Sequence, residues 1–260
     1  MLNRTFLSTL FLSSTMVLAQ TRSTATGASS LQAPTTLPIV FTNTVSADHS
    51  HVGDRVLART EQVVHLGNGG VIPSGTLIVG HVVAANAFVY DKTPYAQQKP
   101  STLSIRFDSL QVAETTLPLN ITVRAMADPI TSWDARLSNV NDDRSSPSAT
   151  QIGGDQLNRS QAEVVSRDGD VVAYNKRDGV YAHLIAHGGC DGSSVEVSVG
   201  IYSASACGLY GYTDVSAREM GSPAEPSTLT LVSTRTSPKV WKHGTALLEV
   251  LPNQQTVAAR

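Results

Sequence analysis

Three Asp-Gly pairs, Asp168-Gly169, Asp178-Gly179 and Asp191-Gly192, stand between short apolar runs in the second half of the chain. Gly accepts the positive φ of a tight hairpin turn and Asp bonds its own backbone there, so this spacing predicts antiparallel hairpins. Leu103, Ile105 and Phe107 alternate with Ser104, Arg106 and Asp108, the period of a strand with one buried and one wet face. Gly67-Asn68-Gly69-Gly70 and Pro73-Ser74-Gly75 supply further turns. Long helical periodicity is absent. The expected fold is all-β: an antiparallel sandwich or barrel of roughly eleven strands, either one closed unit or two halves joined by a long loop.

Strands are expected at 39–45, 55–66, 76–87, 103–110 and 117–125, then at 163–165, 171–174, 180–186, 195–202, 229–233 and 246–251. They define a first β block over 39–126 and a second over 163–252. Between them, 127–162 is rich in Asp-Pro, Asn, Ser and Gly-Gly and is expected as a long loop, with a short helix near 133–140. Residues 253–260 form a tail.

The beginning of the chain carries an address. Arg4 precedes a mostly apolar run that ends in Val17-Leu18-Ala19, so residues 1–19 are expected to be a signal peptide cleaved after Ala19. The run is shorter than the roughly 20 residues a membrane-crossing helix needs. Residues 20–38, mostly Thr, Ser, Ala, Gly and Pro, are expected as a flexible spacer. A periplasmic or secreted chain is expected, with no membrane span after leader removal. Lys and Arg number 19 against 21 Asp and Glu, so there is no basic field to hold nucleic acid, and none is expected as a partner.

Cys190 and Cys207 are the only cysteines, and an even count in an exported chain predicts a disulfide between them. Nothing beside either one would lower a thiol pKa for nucleophilic chemistry. His183 and His187 raise a metal reading, with His49 and His51 elsewhere. On an extended strand, however, positions four apart are separated by about 13 Å, and Leu184 stands where helical zinc hydrolases place an acid. Ser194, Ser203 and Ser205 lack a nucleophile-elbow context, and Asp168-Gly169-Asp170 lacks the further ligands of a calcium loop. Tyr90, Tyr95, Tyr202, Tyr210 and Tyr212 could line a binding surface, although half-buried strand tyrosines are the commoner case. No catalytic, cofactor or metal site is assigned, and no cofactor is expected.

One ordered set of turns carries a family likeness: Gly53-Asp54-Arg55-Val56, then Ile72-Pro73-Ser74-Gly75-Thr76-Leu77, then Ser104-Ile105-Arg106-Phe107, then Leu117-Pro118-Leu119. Near the end, Gly244-Thr245 precedes the apolar run Ala246-Leu247-Leu248. This order resembles the exported β domain of the TrbI family, the envelope-spanning scaffold of type IV secretion and conjugation machines. The resemblance implies a non-enzymatic β-domain protein acting as an envelope-associated binding or assembly module, with an envelope protein or a second copy as partner. The family's cytoplasmic tail and inner-membrane helix are replaced here by the expected leader, so only the scaffold role carries over. The alternative is a secreted hydrolase or metal-dependent enzyme with a site around His183 and His187 in the second β block.

Overall fold

The computed structural model describes residues 31–137 and 148–252. The expected leader, the first part of the spacer up to residue 30, positions 138–147 of the expected loop and the tail lie outside the described residues. In chain order the strands are β1 (Thr36–Phe41), β2 (Val45–Ser46), β3 (Arg55–Thr60), β4 (Val64–His65), β5 (Val71–Ile72), β6 (Leu77–Asn86), β7 (Ser101–Val112), β8 (Thr115–Pro118) and β9 (Ile121–Ala127). After the helix α1 (Pro129–Asp134) come β10 (Ser148–Thr150), β11 (Gln156–Asn158), β12 (Glu163–Val165), β13 (Val171–Lys176), β14 (Gly179–His183) and β15 (Glu196–Ser198). The last five are β16 (Gly208–Tyr210), β17 (Ser216–Met220), β18 (Thr228–Ser233), β19 (Lys239–Val240) and β20 (Thr245–Val250). The protein is all-β, as its turn spacing predicts.

Ten strands make one sheet in the order β16-β9-β20-β1-β3-β6-β7-β18-β17, with β8 also on β7. Only β16 runs parallel to its neighbour. The sheet curls until its ends nearly meet, and Ser227 stitches the seam. Its N–H donates to Ile121 O at 2.8 Å, and its hydroxyl donates to Leu119 O at 2.8 Å while accepting from Ile121 N at 3.2 Å. Thr122 Oγ1 adds a bond to Met220 O at 2.9 Å. Gly221 lies at this seam with φ +88, where a Cβ would sit 2.5 Å from Ile121 O, so only Gly permits the approach. Near-closure leaves little free edge for unwanted pairing. It also decides how the two blocks combine: β16, β17, β18 and β20 come from the second block yet complete the first block's sheet, because β20 pairs with both β1 and β9.

The barrel interior is filled by its own alternating side chains. Leu37, Ile39 and Phe41 of β1, Ile105 and Phe107 of β7, and Leu248 of β20 are buried in one cluster, with the rings of Phe41 and Phe107 6.4 Å apart. Each large aliphatic or aromatic side chain so buried is worth about 1.5–3 kcal/mol. The spacer ends earlier than expected: residues 36–38 already belong to β1, with Leu37 fully buried. Pro38 is tolerated because its nitrogen faces the β3 side, where the ladder starts only at Ile39 opposite Thr60, while its carbonyl accepts from Glu61 N at 2.8 Å.

Strands β10 to β15 form a second, sequential antiparallel meander. The segment 127–162 is therefore not one long loop, since it holds α1, β10 and β11. The helix also starts before the expected 133–140. Asp128 caps it by accepting from Thr131 N at 2.8 Å, and Pro129 opens its first turn, where a missing N–H costs nothing. Asp168-Gly169 lies in the β12–β13 turn as predicted, whereas the β13–β14 turn is Arg177-Asp178, with Gly179 opening β14 opposite Lys176. Asp191-Gly192 instead lies within the long β14–β15 connection, whose tight turn is Gly188-Gly189 between the paired His187 and Cys190. The meander's own buried cluster is small, dominated by Val and Ala such as Val164, Ala173, Val180 and Val199. Its position depends on what ties it to the barrel.

Candidate functional site

The strongest tie is Arg124. Within β9 the register slips by one residue, so that Leu247 and Leu248 of β20 face Ala125 and Val123 with Arg124 left over between them. Such a bulge re-aims a side chain, and here it turns Arg124 outward from the barrel interior into the connection that carries the disulfide. The guanidinium is completely buried. Nε donates to Ala206 O at 3.2 Å, Nη2 to Ile185 O at 2.8 Å and Nη1 to Asp191 O at 2.5 Å, with Glu249 Oε2 3.2 Å from Nη1. A planar fork with five donors can serve three backbone carbonyls and a carboxylate together; a single ammonium cannot.

The predicted bond between Cys190 and Cys207, with Cα atoms 5.9 Å apart, joins this β14–β15 connection to the end of the β15–β16 connection. Beside it, Tyr202 is fully buried, its hydroxyl 2.8 Å from Thr245 Oγ1, which is in turn 2.9 Å from Ser132 Oγ of α1. Burial pushes the Tyr202 phenol far above its ordinary pKa. Tyr202 is thus a core residue and not part of a binding surface. Tyr212 is likewise packed inward, 5.3 Å from the Trp241 ring. Tyr90 and Tyr95 remain exposed on the β6–β7 connection, their rings 6.4 Å apart, with the Arg235 guanidinium 5.2 Å from the Tyr95 ring.

A second tie opens beside a cleft. The Gln62 carboxamide docks on β14 as a neighbouring strand would: Nε2 donates to Val180 O at 2.9 Å and Oε1 accepts from Val180 N at 2.9 Å. Gly179 makes room, since a Cβ there would lie 2.4 Å from Gln62 Oε1. Next to Gln62, Glu61 pairs through Oε1 with Arg136, while its Oε2 is buried with no hydrogen-bond partner among the described residues. Burial raises the Glu61 carboxyl pKa, and the Arg136 charge opposes that rise. Glu61 lies in the wall of a cleft of about 640 Å³ between the barrel and the meander, which Arg159, Lys176 and Arg177 also line. Volumes of this size suit small ligands or a few residues of a bound chain.

The histidines are dispersed. His183 is exposed, its Nδ1 2.7 Å from Ser194 O, and His187 lies in the Gly188-Gly189 turn. Among the described residues no three His, Cys, Asp or Glu side chains are grouped to hold a metal ion. His65 instead bridges the two layers: its Nε2 is 2.5 Å from Asp178 Oδ2, with the Tyr181 ring 5.5 Å away and the Tyr181 hydroxyl donating to Val63 O. The His65 hydrogen bond holds the Asp178 carboxyl below its ordinary pKa. The unfolded chain then binds the proton first, so this link adds stability above the unfolded value near 3.9 and loses it as pH falls through the depressed folded value. Asp178→Asn should therefore flatten the acid limb of a plot of urea midpoint against pH and cost under about 1 kcal/mol at neutrality, as expected for a half-exposed pair. An unchanged acid limb would show that the bridge does not contribute.

Compared with known proteins, the chain matches no family model, no curated protein and no solved structure. Its own residues therefore carry the functional reading. Sequence reasoning locates the cysteines but misses Arg124, Glu61 and the cationic wall of the cleft. Arg124 has a legible signal, a lone charge inside the apolar run Ile121-Thr122-Val123-Arg124-Ala125-Met126-Ala127. Arg159, Lys176 and Arg177 have none, because the meander's topology brings separate turns together.

Proposed function

We propose that this chain is exported and serves as a non-enzymatic, envelope-associated binding or assembly module, similar to the exported β domain of the TrbI family. The observation that carries this reading is the filled barrel: Leu37, Ile39, Phe41, Ile105 and Phe107 occupy the interior, so what the fold presents to other molecules is its outside. A disulfide belongs with an oxidising compartment, either periplasmic or extracellular. No helix among the described residues is long and apolar enough to cross a membrane. The residues of the resemblance occupy structural positions suited to a scaffold, with Pro73-Ser74-Gly75 turning the chain into β6 and Gly244 leading into β20.

On the surface, Val89 and Tyr90 stand 75% and 64% exposed at the tip of the β6–β7 connection, which Phe88 N anchors through Ser237 Oγ at 2.9 Å. An exposed apolar tip on a fixed base is a fitting contact for an envelope partner or a second copy. A photocrosslinking amino acid at Tyr90 should give adducts of higher mass in envelope fractions from the cells that make the protein. Recovery only as an uncrosslinked monomer would remove the support for an assembly role.

A further inference from the structure

We propose that the cleft between barrel and meander binds an acidic peptide segment, its carboxylates held by Arg159, Lys176 and Arg177 and one of its backbone N–H groups donated to the free Oε2 of Glu61. This names a partner class and so rests on the binding-module reading. Among the described residues, three cations and one carboxylate line the cleft. The cations are exposed at its walls, whereas Glu61 is recessed and half-buried. Lys176 already shares its charge with Glu196 and lies 5.3 Å from the Tyr181 ring, and Arg159 donates to Arg136 O at 2.9 Å. Arg177 has no ion pair among the described residues and is free to take a ligand carboxylate.

The recessed carboxylate decides what the ligand is. A purely anionic ligand would be attracted by the three cations and repelled by the Glu61 carboxylate, so the occupant must bring a hydrogen-bond donor to Glu61 and negative charge to the cations. Gly200 also lines the cleft, and a Cβ there would lie 3.7 Å from Glu61 Oε2, which places that oxygen next to the wall that Gly200 forms. A peptide has both features at fixed spacing, an N–H on every residue and acidic side chains beside it. Sugars also carry hydroxyl donors, but among the described residues no Trp, Tyr, Phe or His lines this cleft to stack on a sugar ring.

Fluorescence anisotropy on the purified chain tests the assignment with a fluorescein-labelled hexapeptide of alternating Glu and Ala, capped at both ends. The Lys-Ala counterpart and labelled trigalacturonate serve as the other arms. Saturable binding of the Glu peptide alone is expected, weakened about tenfold by Arg177→Glu, the loss of one charge-assisted contact. Arg177 is exposed on a turn, so an unchanged circular dichroism spectrum and melting temperature would show that the variant is folded. No binding of the Glu peptide, equal binding to the Arg177→Glu variant, or tighter binding of trigalacturonate would each overturn the proposal. This assay uses no envelope material, so its failure is distinguishable from failure of the crosslinking at Tyr90.

Discussion

Arg124→Ala should lower the stability of the protein by roughly 3–5 kcal/mol, read as a fall in urea midpoint at unchanged slope. The substitution removes a side chain that donates to three carbonyls, Ile185 O, Asp191 O and Ala206 O, in a place where the guanidinium itself is fully buried. Each acceptor left unmet costs about 1–3 kcal/mol unless water reaches it. Glu249 contributes less to the loss, since its side chain is 20% exposed and can be rehydrated. Orphaned carbonyls outweigh the lost ion pair, so Arg124→Lys should recover only a minor part: a lysine can reach one or two of these acceptors but cannot span all three. A loss below about 1 kcal/mol for Arg124→Ala would mean that the connection holds its place without the guanidinium.

Reduction of Cys190–Cys207, or the paired Cys190→Ser and Cys207→Ser change, should cost on the order of 3 kcal/mol through the freed loop entropy of the unfolded chain. The two cysteines are 17 residues apart and bracket Asp191 and Ala206, two of the residues whose carbonyls Arg124 holds. Both devices hold the β14–β15 and β15–β16 connections together, so their effects should not add. A double-mutant cycle of Arg124→Ala with the paired Ser variant should show a coupling of about 0.5–3 kcal/mol. Hydrogen exchange should place the first loss of protection in 184–206, ahead of the barrel strands. Strict additivity, or simultaneous loss in the barrel, would separate the disulfide from the Arg124 tie.

The strands with clear alternation or β-branched runs are legible: 163–165 matches β12, and the expected ranges 76–87, 103–110 and 229–233 overlap β6, β7 and β18 closely. Legibility fails where pairing comes from distant chain. β10, β11 and β16 are three residues each, and their sequences Ser-Ala-Thr, Gln-Leu-Asn and Gly-Leu-Tyr carry too little pattern for a period to show. Asp128-Pro129 reads as a loop signal although it is equally a helix start, and only the residues C-terminal to it separate the two. The joining of both blocks in one sheet is hidden for a different reason: β20 finds β1 across almost the whole chain, a long-range choice that local turn chemistry does not encode. At the site, Cys190 and Cys207 are legible because cysteine pairing depends on count and compartment. The cleft is not, because Glu61 and Arg177 meet only after Gln62 has docked on β14.

Intact-mass spectrometry of the protein recovered from the envelope fraction of the cells that make it tests the export and locking of this barrel together. The expected mass is that of a chain beginning at Gln20 and lighter by two hydrogens than its reduced form, the pair lost in joining Cys190 to Cys207. A mass that still includes Met1 to Ala19, or that does not change on reduction, would contradict an exported, disulfide-locked barrel.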